Sequence, residues 1–351
     1  MKILHLLVMR LFLNVMQAQE SKVIVVTLDG LRWQELFQGA DKDLISDKKY
    51  TEDPKRLKDL FFDSDASKRP VQLFPFLHSS TVQSGWVLGN RSQGSVVQLS
   101  NKFLVSAPGY NEIITGLKDD AVVSNNKKRD NPNVSVFELA QQDIRFKDKV
   151  AVFGSWELFP YIFNEKRSNL PVNAGYRTAS HSNLSAAEVQ INAMQRLTPK
   201  RWQGVRYDVF THQYALEALK NQKPKLLFVG YGETDDFAHN GLYDHYLESA
   251  RTADEMIKQL WEYTQSDPFY KGQTTFVITT DHGRGNGSSW TSHGKGVDGA
   301  EATWIIAFGN QINSGQVKST GTFEANQIAA TIAKLLQLEL KDAGQKGKPL
   351  F

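Results

Sequence analysis

Residues 22–29 read KVIVVTLD, and five of the eight are apolar, three of them valine. A short β-branched run without polar alternation is the pattern of a strand buried on both faces, as in a parallel sheet covered by helices. It ends in Asp29-Gly30, which places a carboxylate at the strand's carboxyl end. Open α/β sheets bind their ligands there. The pattern returns in KVAVF (149–153) before Gly154, Ser155 and Trp156, in KLLFVG (225–230) before Tyr231 and Asp235, in TTFVITT (274–280) directly before Asp281 and His282, and in TWIIAF (303–308) before Gly309. Helical periodicity lies between the runs, over 134–142 and 246–264, with a last amphipathic helix over 323–337. Strands alternating with helices predict a three-layer α/β sandwich around a mainly parallel sheet.

Two stretches depart from this rhythm. Residues 38–100 mix charge runs with FPFLH and with Gly- and Ser-containing segments, and read as a cap-like insertion with a β-hairpin near 83–99. Residues 157–205, rich in Asn, Arg, Ser and Pro, read as an excursion over the site. Residues 1–18, with an early Lys2, an apolar stretch and Ala18 before Gln19 and Glu20, have the pattern of a secretory signal peptide. The expected organisation is that leader followed by one catalytic domain over 19–351, periplasmic or secreted.

With 41 basic and 38 acidic residues among 351, the balance points to neither a nucleic-acid polymer nor a membrane surface as partner. Beyond the leader, no stretch is long and apolar enough to span a bilayer. The chain has no cysteine, which excludes thiolate catalysis, disulfides and cysteine metal sites. Any metal must be held by carboxylate, hydroxyl and imidazole groups.

Such groups stand just past the strands. They are Asp29, Ser106 in VSAPGYNEIITG (105–116), Asp235 and His239 in GETDDFAHNG (232–241), Asp281 and His282 in TTDHGRG (279–285), and His293 in TSHGKG (291–296). Taken singly, each has a plainer reading. Asp29 and Ser106 suit helix N-caps, Ser106 with Pro108 just inside. Asp235 and His239, one helical turn apart, suit a surface pair. Asp281-His282 after a buried strand has no evident packing purpose. His245, in a helical pattern, reads as structural or surface.

The ordered set TLDG, a hydroxyl residue two before Pro108 and ten before Gly116, D-x-x-x-H, DHG and a later His-Gly resembles the alkaline phosphatase superfamily, in particular its phosphodiesterase and nucleotide pyrophosphatase branch. The resemblance spans about residues 22–340. It implies two divalent ions, zinc first with manganese or iron tolerated. One would be held by Asp235, His239 and His293, the other by Asp29, Asp281, His282 and Ser106. It also implies Ser106 as a metal-activated nucleophile that forms a covalent phosphoserine, with a small-molecule phosphate ester as substrate.

Other phosphoryl oxygens need donors. Asn125, with Asn126 competing, and Arg284 are the candidates, Arg284 also suiting a solvated loop arginine. Trp156 and Phe159 suit either a leaving-group pocket or packing. Tyr110 stands where sulfatases of the superfamily carry arginine, which disfavours a sulfatase. The chain is too short for the inserted domain of the phosphoglycerate mutases. A non-catalytic secreted binding protein on this fold is the remaining rival, disfavoured because all seven ligand positions hold competent side chains.

Overall fold

The computed structural model describes residues 21–121, 123–312, 320–340 and 347–351. The leader-like residues 1–18 lie outside the described residues. Among the described residues, ten strands form two sheets: β1 Lys22–Leu28, β2 Trp86–Leu88, β3 Ser95–Gln98, β4 Val150–Gly154, β5 Val172–Ala174, β6 Leu226–Tyr231, β7 Thr274–Thr279, β8 Ala302–Thr303, β9 Ile305–Gly309 and β10 Gly321–Glu324. The main sheet runs β2-β9-β7-β1-β6-β4-β5. Its β7, β1, β6, β4 and β5 are mutually parallel, and β9 is antiparallel to both β7 and β2.

β1 occupies the centre of that sheet, and every residue in it is buried. Its side chains alternate between the faces, as strand geometry requires. Ile24, Val26 and Leu28 join one core with residues of the helices Asp208–Asn221 and Tyr243–Ser266. Val23 and Val25 join a second core with residues of the helices Ser106–Thr115, Val136–Gln142 and Gln327–Leu336. The molecule is thus the three-layer α/β sandwich that the buried runs predict.

Register sets the site. Thr27 pairs with Thr279 and Leu28 with Tyr231. Asp29 follows immediately, Asp281 stands two residues past Thr279, and the helix Glu233–His239 opens two residues past Tyr231. Three adjacent parallel strands therefore deliver their polar successors to one edge.

Three expectations are corrected. The hairpin near 83–99 is absent, because β2 pairs with β9 in the main sheet while β3 pairs with β8 and β10 in the small sheet. The run 303–308 is not one strand: it breaks at Trp304 and feeds both sheets. The last helix starts at Gln327, since Gly321–Glu324 adds to the edge of β3 as β10. In each case an unpaired sheet edge takes up backbone that local periodicity leaves ambiguous. Within 38–100, the N–H groups of Phe76 and Leu77 donate to Asp254 of the long helix Tyr243–Ser266, at 2.9 and 2.8 Å.

Candidate metal centre

Asp29 is held from three sides. Its N–H donates to the Tyr231 carbonyl at 3.0 Å, its own carbonyl accepts from the Thr234 hydroxyl at 2.5 Å, and its Oδ2 accepts from the Tyr110 hydroxyl at 2.9 Å. Gly30 follows with φ +60°, a region that favours glycine. A Cβ there would lie 2.8 Å from both Arg284 Nη1 and Asp235 Oδ1. The Gly30 N–H donates to Asp281 Oδ1 at 3.1 Å, tying the ends of β1 and β7 together.

Ser106 opens the helix Ser106–Thr115, with Val105 as the capping residue and no side-chain cap bond. Ser106 is therefore the first helical residue and not the cap expected for it. Its Oγ stays available and lies 3.3 Å from His282 Nε2. Two backbone features bring this helix close. Leu104 turns the chain at φ 53°, which a non-glycine residue rarely adopts. Gly109 lies so tightly on the Asp281 carbonyl that a Cβ would overlap it.

The histidines are oriented through their second nitrogen. His282 Nδ1–H donates to the Gly283 carbonyl at 2.9 Å, and His293 Nδ1–H to the Leu104 carbonyl at 3.2 Å. Each Nε2 then carries a lone pair. His282 Nε2 lies 3.4 Å from Asp29 Oδ1, 3.6 Å from Asp281 Oδ2 and 3.8 Å from Asp235 Oδ1. His293 Nε2 lies 3.0 Å from His239 Nε2 and 3.7 Å from Asp235 Oδ1. His239 Nε2 is 3.2 Å from Asp235 Oδ2.

Two donor groups result, Asp29-Asp281-His282 and Asp235-His282-His293, with His239 beside the second. Asp29 Oδ1 and Asp281 Oδ2 are buried and accept no hydrogen bond. Acceptors facing acceptors without a proton between them are costly unless a cation sits among them. An all-oxygen and imidazole donor set of this kind fits a divalent ion.

The electrostatics agree. Burial, followed by the charge of Asp235, holds Asp29 well above the usual carboxylate range. Burial and the charge of Asp29 do the same to Asp281. For Asp235, burial acts upward but is outweighed by Arg284 and the neighbouring imidazoles, which hold it well below that range. Burial, helped by His282, pushes His293 down to about 2. His293 is thus neutral and ready to ligate at ordinary pH.

All seven expected ligands therefore meet at one place. The expected substrate contacts fare differently. Asn125 and Asn126 are both exposed; the Asn125 amide donates to the Ser124 hydroxyl at 3.3 Å, and Asn126 Oδ1 accepts the Ala107 N–H at 2.9 Å, beside Ser106. Arg284 is buried and committed to protein. It bonds Asp235, the Trp290 carbonyl at 2.9 Å and the Thr291 carbonyl at 2.7 Å. Phe159 is core, packed on Tyr110 and Phe228, and a Cβ at Gly154 would strike it; Trp156 is partly buried beside it. His245 stacks on Phe237 at a helix surface. The Tyr110 bond to Asp29 went unread in the sequence, although Gly109 inside a helix, where glycine costs about 1 kcal/mol, is a visible signal of close approach.

Residues 182–340, which include Asp235, His239, Asp281, His282 and His293, match the family model described as Metalloenzyme superfamily. No curated protein matches the chain in sequence. Among solved structures it is similar to a putative sulfatase from Bacteroides thetaiotaomicron, at TM-score 0.60 and 11% identity over 94% of this chain and 74% of that one. It is similar to the lipoteichoic acid synthase LtaP from Listeria monocytogenes, at TM-score 0.59 and 10% identity over 94% and 75%. It is also similar to the alkaline phosphatase PafA, at TM-score 0.57 and 11% identity over 94% and 98%. At these identities the likeness is one of fold.

Proposed function

We propose that this chain is a member of the alkaline phosphatase superfamily and a two-metal hydrolase of phosphoric esters with Ser106 as nucleophile. The observation that carries the reading is the uncapped Ser106 hydroxyl, 3.3 Å from His282 Nε2 and beside buried carboxylates that lack a partner. Asp235, His239 and His293 would hold one ion, and Asp29, Asp281, His282 and Ser106 the other, with zinc the best match to this donor mixture. Bound there, such ions would lower the pKa of the serine hydroxyl and neutralise charge on the phosphoryl group.

The chain's own groups supply the rest. Ser106 Oγ attacks phosphorus, the ester oxygen departs with its alcohol, and water later releases phosphate from phosphoserine. The helix Ser106–Thr115 turns its positive dipole end toward the phosphoryl oxygens. Asn126, with its Oδ1 fixed by the Ala107 N–H, keeps its amide hydrogens for a substrate oxygen. Tyr110, standing where sulfatases of the superfamily carry arginine, gives its hydroxyl to Asp29.

The test is Ser106→Ala, assayed on p-nitrophenyl phosphate, bis-p-nitrophenyl phosphate and p-nitrophenyl sulfate. Turnover of the phosphate esters falls at least about 1,000-fold while metal content is kept. Intact-mass spectrometry of acid-quenched wild type shows one added phosphoryl group that the variant lacks. A variant with near-normal rates overturns the covalent route. Wild type that turns over only the sulfate overturns the phosphoester assignment.

A further inference from the structure

Outside the metal centre, a cavity of about 700 Å³ lies at the β5 edge. Its charges are already paired, Glu165 with Arg177 and His181 with Glu188. More telling is the buried polar chain that starts at its wall. Arg206 is fully buried and donates to Asn173 Oδ1 at 2.6 Å, to the carbonyls of Asn173 and Arg177 at 3.1 Å, and through Nε to Thr211 Oγ1 at 2.8 Å. The Thr211 hydroxyl is 2.7 Å from Ser155 Oγ, which donates to Asp208 Oδ1 at 2.5 Å.

Asp208 is the end of this chain. It is 3% exposed and opens the helix Asp208–Asn221, yet its carboxylate serves another helix. Oδ1 accepts the Gly232 N–H at 2.8 Å and Oδ2 the Glu233 N–H at 3.1 Å. In return, the Asp208 N–H donates to Glu233 Oε1 at 2.9 Å. This is the reciprocity of a capping box, shared between two helices.

The helix so capped is Glu233–His239, which carries Asp235 and His239. It has seven residues, too few to hold its geometry unaided. Its own capping position is Gly232, which has no side chain to cap with, and a Cβ there would lie 3.0 Å from Val205 Cγ1. The cap therefore comes from outside the helix. We propose that Asp208 is a positioning residue for the Asp235–His239 half of the metal centre, fixing that helix's first turn so that both side chains face His293. This rests on the two-metal reading above for the role of those side chains, but not on the ester cleaved.

The experiment compares wild type, Asp208→Asn and Ser155→Ala. Zinc is titrated into metal-free protein against a chromogenic chelator, with backbone hydrogen exchange followed by mass spectrometry. In Asp208→Asn, the amide cannot accept from both N–H groups. One ion binds as in wild type and the other about 10–100-fold more weakly. Exchange in 232–239 accelerates while that in 106–115 does not. Ser155→Ala removes one bond to Asp208 and shifts both readouts the same way by less. If Asp208→Asn fails to fold, Ser155→Ala decides.

Unchanged zinc affinities with unchanged exchange in 232–239 overturn the proposal. Equal weakening of both ions with exchange raised throughout also overturns it, since that is a general loss of stability. A wild type that binds fewer than two ions counts against the two-metal reading instead. The exchange of 232–239 in the two variants then decides the positioning role by itself.

Discussion

The imidazole of His282 lies flat against that of His293, with ring centroids 3.8 Å apart and planes 14° from parallel. Each ring is fixed through Nδ1, to the carbonyls of Gly283 and Leu104, so both Nε2 atoms turn inward. The stack sets the two donor groups side by side. Ligand deletions should therefore separate them. His282→Ala should lose the ion of the Asp29–Asp281 group preferentially, whereas His239→Ala, at the exposed rim, should lose the other. Metal analysis after gel filtration reads this directly, and a His282→Ala protein that keeps both ions refutes the assignment.

Stability of the metal-free protein should fall as pH rises from about 7 to 9. Burial, followed by the charge of Asp208, pushes Glu233 up to about 8, and burial with Asp235 pushes Asp236 up to about 8. A carboxyl group whose folded-state pKa is raised contributes stability below its unfolded value, near 4, and loses it as pH rises through the folded value. His78, His212 and His293 are lowered and hence neutral across this window. Thermal melts should show Tm dropping by about 2 °C or more. Added zinc should raise Tm more at pH 9 than at pH 7, because the ions offset the crowded carboxylates. A metal-free Tm that climbs over this range contradicts the assignment.

Tyr110→Phe removes the one hydroxyl that donates to Asp29 Oδ2 and leaves the ring packed on Phe159 and Phe228. Outer partners of metal-ligating carboxylates are typically worth 10–100-fold in affinity. The variant should fold normally, with zinc binding weakened by about that factor at the Asp29 half. Equilibrium dialysis checks it, and wild-type affinity would show that Tyr110 is packing alone.

Arg284 separates bracing from substrate contact. Its partners include Asp235, two backbone carbonyls and, at 3.4 Å, His239 Nδ1. Arg284→Ala leaves Asp235 without its counter-charge and should cost about 3–5 kcal/mol in urea denaturation. Activity lost in Arg284→Lys should return on raising zinc, since the defect is in ligand placement. A raised KM for phosphate ester with normal metal binding would restore a substrate role.

The sequence by itself determined the three-layer sheet and singled out the seven side chains that the fold brings together. Parallel strands covered on both faces must be continuous apolar runs, so β1, β4, β6 and β7 are visible in the chain. Polar residues immediately beyond such runs fall on one sheet edge, which is why Asp29, Asp281 and His282 could be placed without coordinates. Tertiary structure alone decided the rest. It put Ser106 inside its helix, set Asn126 Oδ1 on the Ala107 N–H, committed Arg284 to Asp235, split 303–308 between two sheets and set Asp208 against Glu233. Local periodicity reports which residues are buried, because burial follows the repeat of a strand or helix. It carries no record of which groups meet across tens to hundreds of residues, and at this site those meetings decide what each side chain does.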